Sequence, residues 1–469
     1  MPTNSILFLK QKLKKIPWHT VLLIFLVIIF FSFSIILTYD SGHYLSYVSI
    51  FEGTSPASSW DIVRGPIFPL IIHISNSLFG KTSTGILICT FLFYLTFTFI
   101  CYIICKDISK NYKNSKFIQF IILVLLVLNP LVFGYFHVLL TEFVAITITI
   151  LNILLAYKWI FIDYSRSKKK AVLYSLYFIA ITIFCWHLKQ PYIIIAIIPM
   201  ITACIISFIR NRKKTNIIYK TIVILSSIIF LLVSIFVWNK ILDRMQADKN
   251  TNRDSTSILS KQLVTTYKIT DPNNTIFQEF FKNPGKIIGI YFNNYCSLSS
   301  LCKVASDDGV NYTSNGNLDP IYMYENTAIG YATYNRTENL FQMTEDMQNL
   351  ASSYTTKMSH NIFSPIMKIS SYPTSIIFKI TILICPFTLI FLLIIKNKSK
   401  DKKYNSLFYL NIILLSTASC HLFFSAIALV IDRYAIEAFI PTLLGIFGTI
   451  TYTKMIVNKQ KSFNHKNKK

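Results

Sequence analysis

TIVILSSIIFLLVSIFVW, residues 221–238, runs for 18 positions without a charged side chain. That is close to the length of about 20 residues needed to cross a bilayer as a helix. The run is continuous rather than alternating, so a helix is expected and not a barrel strand. Arg210, Arg212, Lys213, Lys214 and Lys220 lie on its N-terminal side, and a mixed-charge segment follows it. Outward from this block the same pattern recurs, and the sequence predicts ten spans. They cover 17–38, 82–105, 117–133, 139–161, 171–187, 191–209, 220–238, 374–395, 405–429 and 436–456. The first has no small-residue cleavage pattern and is expected to be a retained anchor.

Composition agrees. Of the 469 residues, 53% are hydrophobic and 14% charged, against about 25% charged in soluble domains. A typical water-soluble enzyme and a disordered chain are both excluded. The net charge of +25 is unevenly placed. Connections 1–16, 106–116, 158–170, 210–220, 396–403 and 454–469 hold 29 Lys and Arg against three acids, Asp107, Asp163 and Asp401. The alternate connections hold 16 Lys and Arg against 18 acids. Basic residues collect in cytoplasmic loops, so the charge reports topology rather than nucleic-acid binding. Both termini are expected in the cytoplasm.

Two external segments exceed a turn. In 39–81, the stretch PIFPLIIHISNSLF (66–79) is apolar but too short to span, and is expected to lie at the outer interface. The segment 239–372 is polar and rich in Asn, Ser, Thr and Tyr. The chain therefore divides into an N-terminal membrane module (1–238), an extracytoplasmic loop domain (239–372) and a C-terminal membrane module (373–469) with a basic tail. Seven of the nine cysteines fall in or beside spans, where they act as small apolar residues. Cys296 and Cys302 lie in the large loop, where a disulfide and two free thiols remain alternatives. No Cys/His spacing suggests zinc.

Ionisable groups near membrane depth are costly and are functional candidates. Here they gather on the outer side. Asp40 closes span 1, and Arg64 opens the interfacial segment. His137 and Glu142 bracket the start of span 4. His187 and Lys189 occupy the turn between spans 5 and 6, and Asp432 and Arg433 the turn between spans 9 and 10. Each has a plainer reading. Lysines and arginines at span ends snorkel to headgroups, buried histidines are most often satisfied hydrogen-bonders, and Asp40 could cap a helix beginning at Tyr44. Taken together, cations suit a phosphate and a carboxylate suits activation of a hydroxyl or a divalent cation.

TYDSGHYLSYVSIFEG (38–53) and WDIVRGPIFPLIIHISNSLFG (60–80) resemble the first outer loop of the GT-C superfamily of integral-membrane glycosyltransferases, such as protein O-mannosyltransferases and lipid A aminoarabinose transferases. The likeness rests on Asp40, Tyr44, Leu45, Arg64, Pro66, Phe68, Pro69, Phe79 and Gly80. NPLVFGYFHVLLTEF (129–143), HLKQPY (187–192) and DRYAIEAFIPTLLGIF (432–447) are similar to further family segments. Two departures stand out. Asp40-Ser41 replaces a frequent Asp-Glu pair, which leaves a second acid to Glu52, Asp61 or Glu142. Lys189 stands where Arg is common.

The resemblance implies an all-α polytopic membrane protein of about ten transmembrane helices that moves a sugar from a polyprenyl-phosphate donor to a glycan, lipid or protein acceptor on the extracytoplasmic face of a plasma membrane, bacterial by its Lys/Ile/Asn-rich usage, with inversion. Asp40 would be the general base, or would hold a divalent cation if one is used. Arg64, Lys189 and Arg433 would hold the lipid phosphate, and Glu142 would position the acceptor or a cation. Tyr44, His137 and His187 would support them. An O-antigen-polymerase- or ligase-like enzyme, which relies on outer-loop arginines, and a transporter or flippase are the rival classes.

Overall fold

The computed structural model describes residues 18–33, 35, 39–60, 65–110, 112, 114–210, 214–245, 363–398, 405–428 and 435–466. These residues form thirteen α-helices and two short 3₁₀ turns, Ala57–Ser59 and Gln190–Tyr192. The helices are α1 Trp18–Phe30, α2 Tyr39–Phe51, α3 Ile67–Phe79, α4 Ser83–Ser109, α5 Ser115–Val127, α6 Pro130–Tyr135 and α7 Glu142–Ile160. There follow α8 Lys168–Leu188, α9 Ile193–Arg210, α10 Lys214–Met245, α11 Ser364–Lys398, α12 Asn405–Ala428 and α13 Ile436–Lys466. Among the described residues the protein is an all-helical polytopic membrane protein, with eight helices long and apolar enough to cross a membrane.

Those eight correspond to expected spans 2 and 4 to 10. The other two expected spans are shorter. Span 1 appears as the 13-residue α1, after which the chain turns through Phe31–Phe33. Span 3 appears as the 13-residue α5 followed by the short α6. The break has a local cause. Asn129 accepts hydrogen bonds through its side chain from the amides of Leu131 and Val132, as an N-cap does. Pro130 supplies no amide to continue α5. Tyr94 donates to the carbonyl of Val127 at 2.8 Å, closing α5 from the side.

Helical structure reaches into the segment 239–372 from both ends. Residues 239–245 continue α10, and 364–372 belong to α11. Apolar periodicity does not register such polar helical extensions. The rest of that segment, with Cys296 and Cys302, lies outside the described residues.

Helix α7 is the hub. It packs against α4, α9, α12 and α13, and more lightly against α8. Its polar residues serve that packing. Pro199 inside α9 cannot donate to Ile195 four residues back. The Asn152 amide of α7 donates to that carbonyl at 2.7 Å and to Ala196 at 2.9 Å. At the far end, Lys220 of α10 is buried. Its ammonium donates to the terminal carbonyl of α7 at Ile160 (3.3 Å) and to the Ser207 hydroxyl (2.6 Å). A cation there complements the helix dipole.

Helices α2 and α3 cover the beginning of α7. The Ser41 hydroxyl of α2 donates to the Leu139 carbonyl at 2.8 Å. Tyr44 stands edge-on to Phe68, and Phe68 to Phe143. The segment expected at the interface is the amphipathic α3, which buries Phe68, Pro69, Ile72, Ser75 and Asn76. Gly80 ends it with φ of 84°, a conformation that favours glycine.

Candidate functional site

The start of α7 is sealed. Residues 130–147 are all buried, and Glu142, the first residue of the helix, is 1% exposed. A carboxylate in that position is favoured by the helix dipole but still needs a partner. Lys189 provides it, with Nζ 3.3 Å from Oε1. Lys189 sits where α8 ends and the 3₁₀ turn begins. Its extended backbone, with φ of −167°, breaks the helix ahead of Pro191.

The second carboxylate oxygen is also engaged. Thr141 donates to Oε2 at 3.3 Å. The hydroxyls of Thr141 and Tyr192 are 3.1 Å apart. With Thr141 donating to the carboxylate, the Tyr192 O–H donates to Thr141. The Lys189 ammonium lies 5.6 Å from the centre of the Tyr192 ring, within cation–π range. Lys189, Glu142, Thr141 and Tyr192 thus form one continuous polar chain across three helix ends. Its lysine is the partly exposed member, the side chain being 19% exposed.

Tyr192 has a second charged neighbour. It lies within electrostatic reach of Glu437 as well as of Glu142 and Tyr44. Glu437 stands in the first turn of α13. Its Oε2 is 3.4 Å from Nε2 of His421 on α12, and both side chains are buried. Sequence reasoning missed this couple. His421 was absorbed into an apolar block and Glu437 into the patch named for Arg433. The rule that singled out Glu142, an acid at the first turn of an apolar helix, selects Glu437 equally.

The remaining expected residues divide. Tyr44 joins the cluster through its proximity to Tyr192. Asp40 lies in the first turn of α2 rather than before it, because that helix begins at Tyr39 and not at Tyr44. Its side chain lies outside the described residues. The neighbouring Ser41 is the residue bonded to Leu139, three positions before Glu142. Arg64 and Arg433 lie outside the described residues, as do Asp61 and Asp432. Gly65, which follows Arg64, packs so tightly on His187 that a Cβ would overlap that residue's carbonyl. The backbone after Arg64 therefore meets the turn that carries Lys189.

His187 is adjacent but differently engaged. Its Nε2 lies 3.2 Å from the Ser234 hydroxyl, and its ring stands edge-on to Trp238. His137 is a structural staple. Its Nδ1 and Nε2 each lie 3.0 Å from a backbone carbonyl, of Phe133 and Phe30, and its ring packs on both phenylalanines. It sits between α6 and α7, outside the long spans. Burial pushes its pKa down to about 4, against the two carbonyls, which raise it. Glu52 is taken by Lys81 at 2.5 Å, with His73 at 4.0 Å. Among the described residues no group of three or more His, Cys, Asp or Glu could hold a metal ion.

Compared with family profiles, curated proteins and solved structures, the chain matches none.

Proposed function

We propose that the protein is a GT-C-like membrane glycosyltransferase that moves a sugar from a polyprenyl-phosphate donor to a hydroxyl acceptor, at the membrane face opposite its basic loops. The observation that carries this reading is the Lys189–Glu142 couple. A carboxylate sealed at a helix start holds a partly exposed ammonium at the end of α8. An ammonium has three donors, so contact with Glu142 and with a phosphate at the same time is within its capacity. The apolar helix surface around it suits a prenyl tail, whose burial supplies binding energy remote from the reacting atoms.

In the proposed step the acceptor oxygen forms a bond to the sugar's anomeric carbon while the bond from that carbon to the phosphate oxygen breaks. The acceptor's proton goes to the Asp40 carboxylate, and the bonding pair leaves with the lipid phosphate. Lys189, with Arg64 and Arg433, stabilises the charge that develops there. Glu142 acts through Lys189 and is a positioning residue.

The test uses the full chain in nanodiscs and a panel of polyprenyl-phosphate sugars, with release of free polyprenyl phosphate as the readout. Wild type is expected to release it from one donor. Asp40→Asn, Arg433→Ala and Lys189→Met are expected to lose most of that activity, by about 100-fold for a group that stabilises transition-state charge. Equal release by all four proteins contradicts the roles assigned. No release from any donor, with acceptor extracts supplied, contradicts the reaction.

A further inference from the structure

Glu437 is a buried carboxylate that the described residues answer only in part. It is 1% exposed. Its contact with His421 is 3.4 Å long, and neither of its oxygens accepts a hydrogen bond from the described residues. Its own backbone adds a third acceptor. Pro441, four residues on in α13, has no amide to give the Glu437 carbonyl. Among the described residues acceptors thus gather at this helix start without matching donors, and such a buried arrangement is costly. The position is not isolated. The helix that carries Glu437, α13, packs against α7, which carries Glu142, and Tyr192 lies within electrostatic range of both carboxylates.

The two couples differ in what they can hold. Lys189 offers donors and a positive charge, which suits a phosphate. Glu437 offers acceptors, which suit hydroxyl groups. Resting on the reading above, we propose that Glu437, held in place by His421, binds the hydroxyls of a carbohydrate, and that Tyr192 separates this subsite from the phosphate end at Lys189. The bound hydroxyls supply donors that the described residues do not give the carboxylate. His421 acts through Glu437 and is a positioning residue.

The test measures thermal stabilisation of the full chain in nanodiscs by two separate probes. One is undecaprenyl phosphate and the other a panel of methyl glycosides of common hexoses and pentoses. Wild type is expected to be stabilised by both. Glu437→Gln keeps the side chain's shape and is expected to weaken the glycoside response about 30-fold, the worth of a hydrogen bond to a charged group, with the lipid-phosphate response unchanged. His421→Gln keeps the carboxylate and is expected to weaken the glycoside response through lost orientation, by less than Glu437→Gln does. It also serves if Glu437→Gln does not fold. A glycoside response absent in wild type, or equal in wild type and both variants, overturns the proposal. A glycoside response that depends on Glu437 without any lipid-phosphate response would instead overturn the donor reading and leave this subsite standing.

Discussion

Glu142 and Lys189 are 47 positions apart in sequence, and their contact can be measured by a double-mutant cycle. At 3.3 Å, two unit charges attract by about 5 kcal/mol at an effective dielectric of about 20. Two features reduce this. The Lys189 side chain is 19% exposed, so water screens one partner, and a long side chain must be ordered. A coupling of about 1–3 kcal/mol is therefore expected, within the range seen for residues in direct contact. The asymmetry of burial adds a direction. Lys189→Met leaves a sealed carboxylate without its ammonium, with Thr141 as a neutral donor, and should cost about 3 kcal/mol, as breaking a buried pair does. Glu142→Gln leaves an ammonium that can turn to water, and should cost about 1–2 kcal/mol, the loss of one charged hydrogen bond. The double variant should be more stable than Lys189→Met alone. Reversible unfolding by detergent titration in bicelles, for wild type, both single variants and the double, gives all four corners. A coupling below about 0.5 kcal/mol, the usual error of additivity, would refute the reasoning. So would a greater cost for Glu142→Gln than for Lys189→Met.

Further outcomes follow from the same contacts. Asn152→Leu removes the donor to Ile195 and Ala196 beside Pro199, and should lower stability by about 1–2 kcal/mol at the roughly 0.6 kcal/mol or more measured per polar contact in membranes; an unchanged unfolding midpoint would refute it. Gly65→Ala places a methyl on the His187 carbonyl and should displace the Lys189 turn, seen as faster hydrogen exchange at 187–192; unaltered exchange would refute the close approach. His137 titrates at about 4 in the folded protein against about 6.5 unfolded. The unfolded state then binds more protons between these values, so stability should fall as pH drops from 6.5 towards 4, by up to about 3 kcal/mol. His137→Gln should flatten that slope, and an equally steep slope in the variant would assign it elsewhere.

Much of the helical frame was legible because membrane spans are written in bulk composition. Runs such as 221–238 need no tertiary context to read. Of the two expected spans that appear as short helices among the described residues, the third span is interrupted by local chemistry. At Asn129-Pro130 a side-chain cap and a missing amide end α5 inside a stretch that hydropathy alone treats as continuous. Helix α10 continues past the apolar run of its span, since Asn239, Lys240 and Asp243 are polar yet remain helical. Charges on one side of the membrane pointed to Glu142 and Lys189, but their pairing depends on how α8 meets α7, which no single segment encodes. Glu437 and His421 escaped because each lies within an apolar block. They become conspicuous only when α12 and α13 are packed together. His137 shows the converse. It looked like a candidate beside Glu142, and its ring instead ties α6 to the end of α1 through backbone carbonyls.

The most direct measurement asks where a lipid phosphate binds. A polyprenyl phosphate with a photoreactive group on its first isoprene unit, bound to the full chain in nanodiscs, should label peptides containing 187–192 after irradiation, and Lys189→Met should reduce that labelling about 10-fold, the loss of one charged contact. Labelling confined to helix surfaces far from this turn, or equal in wild type and Lys189→Met, would contradict a lipid-phosphate site at the Glu142–Lys189 end of the bundle.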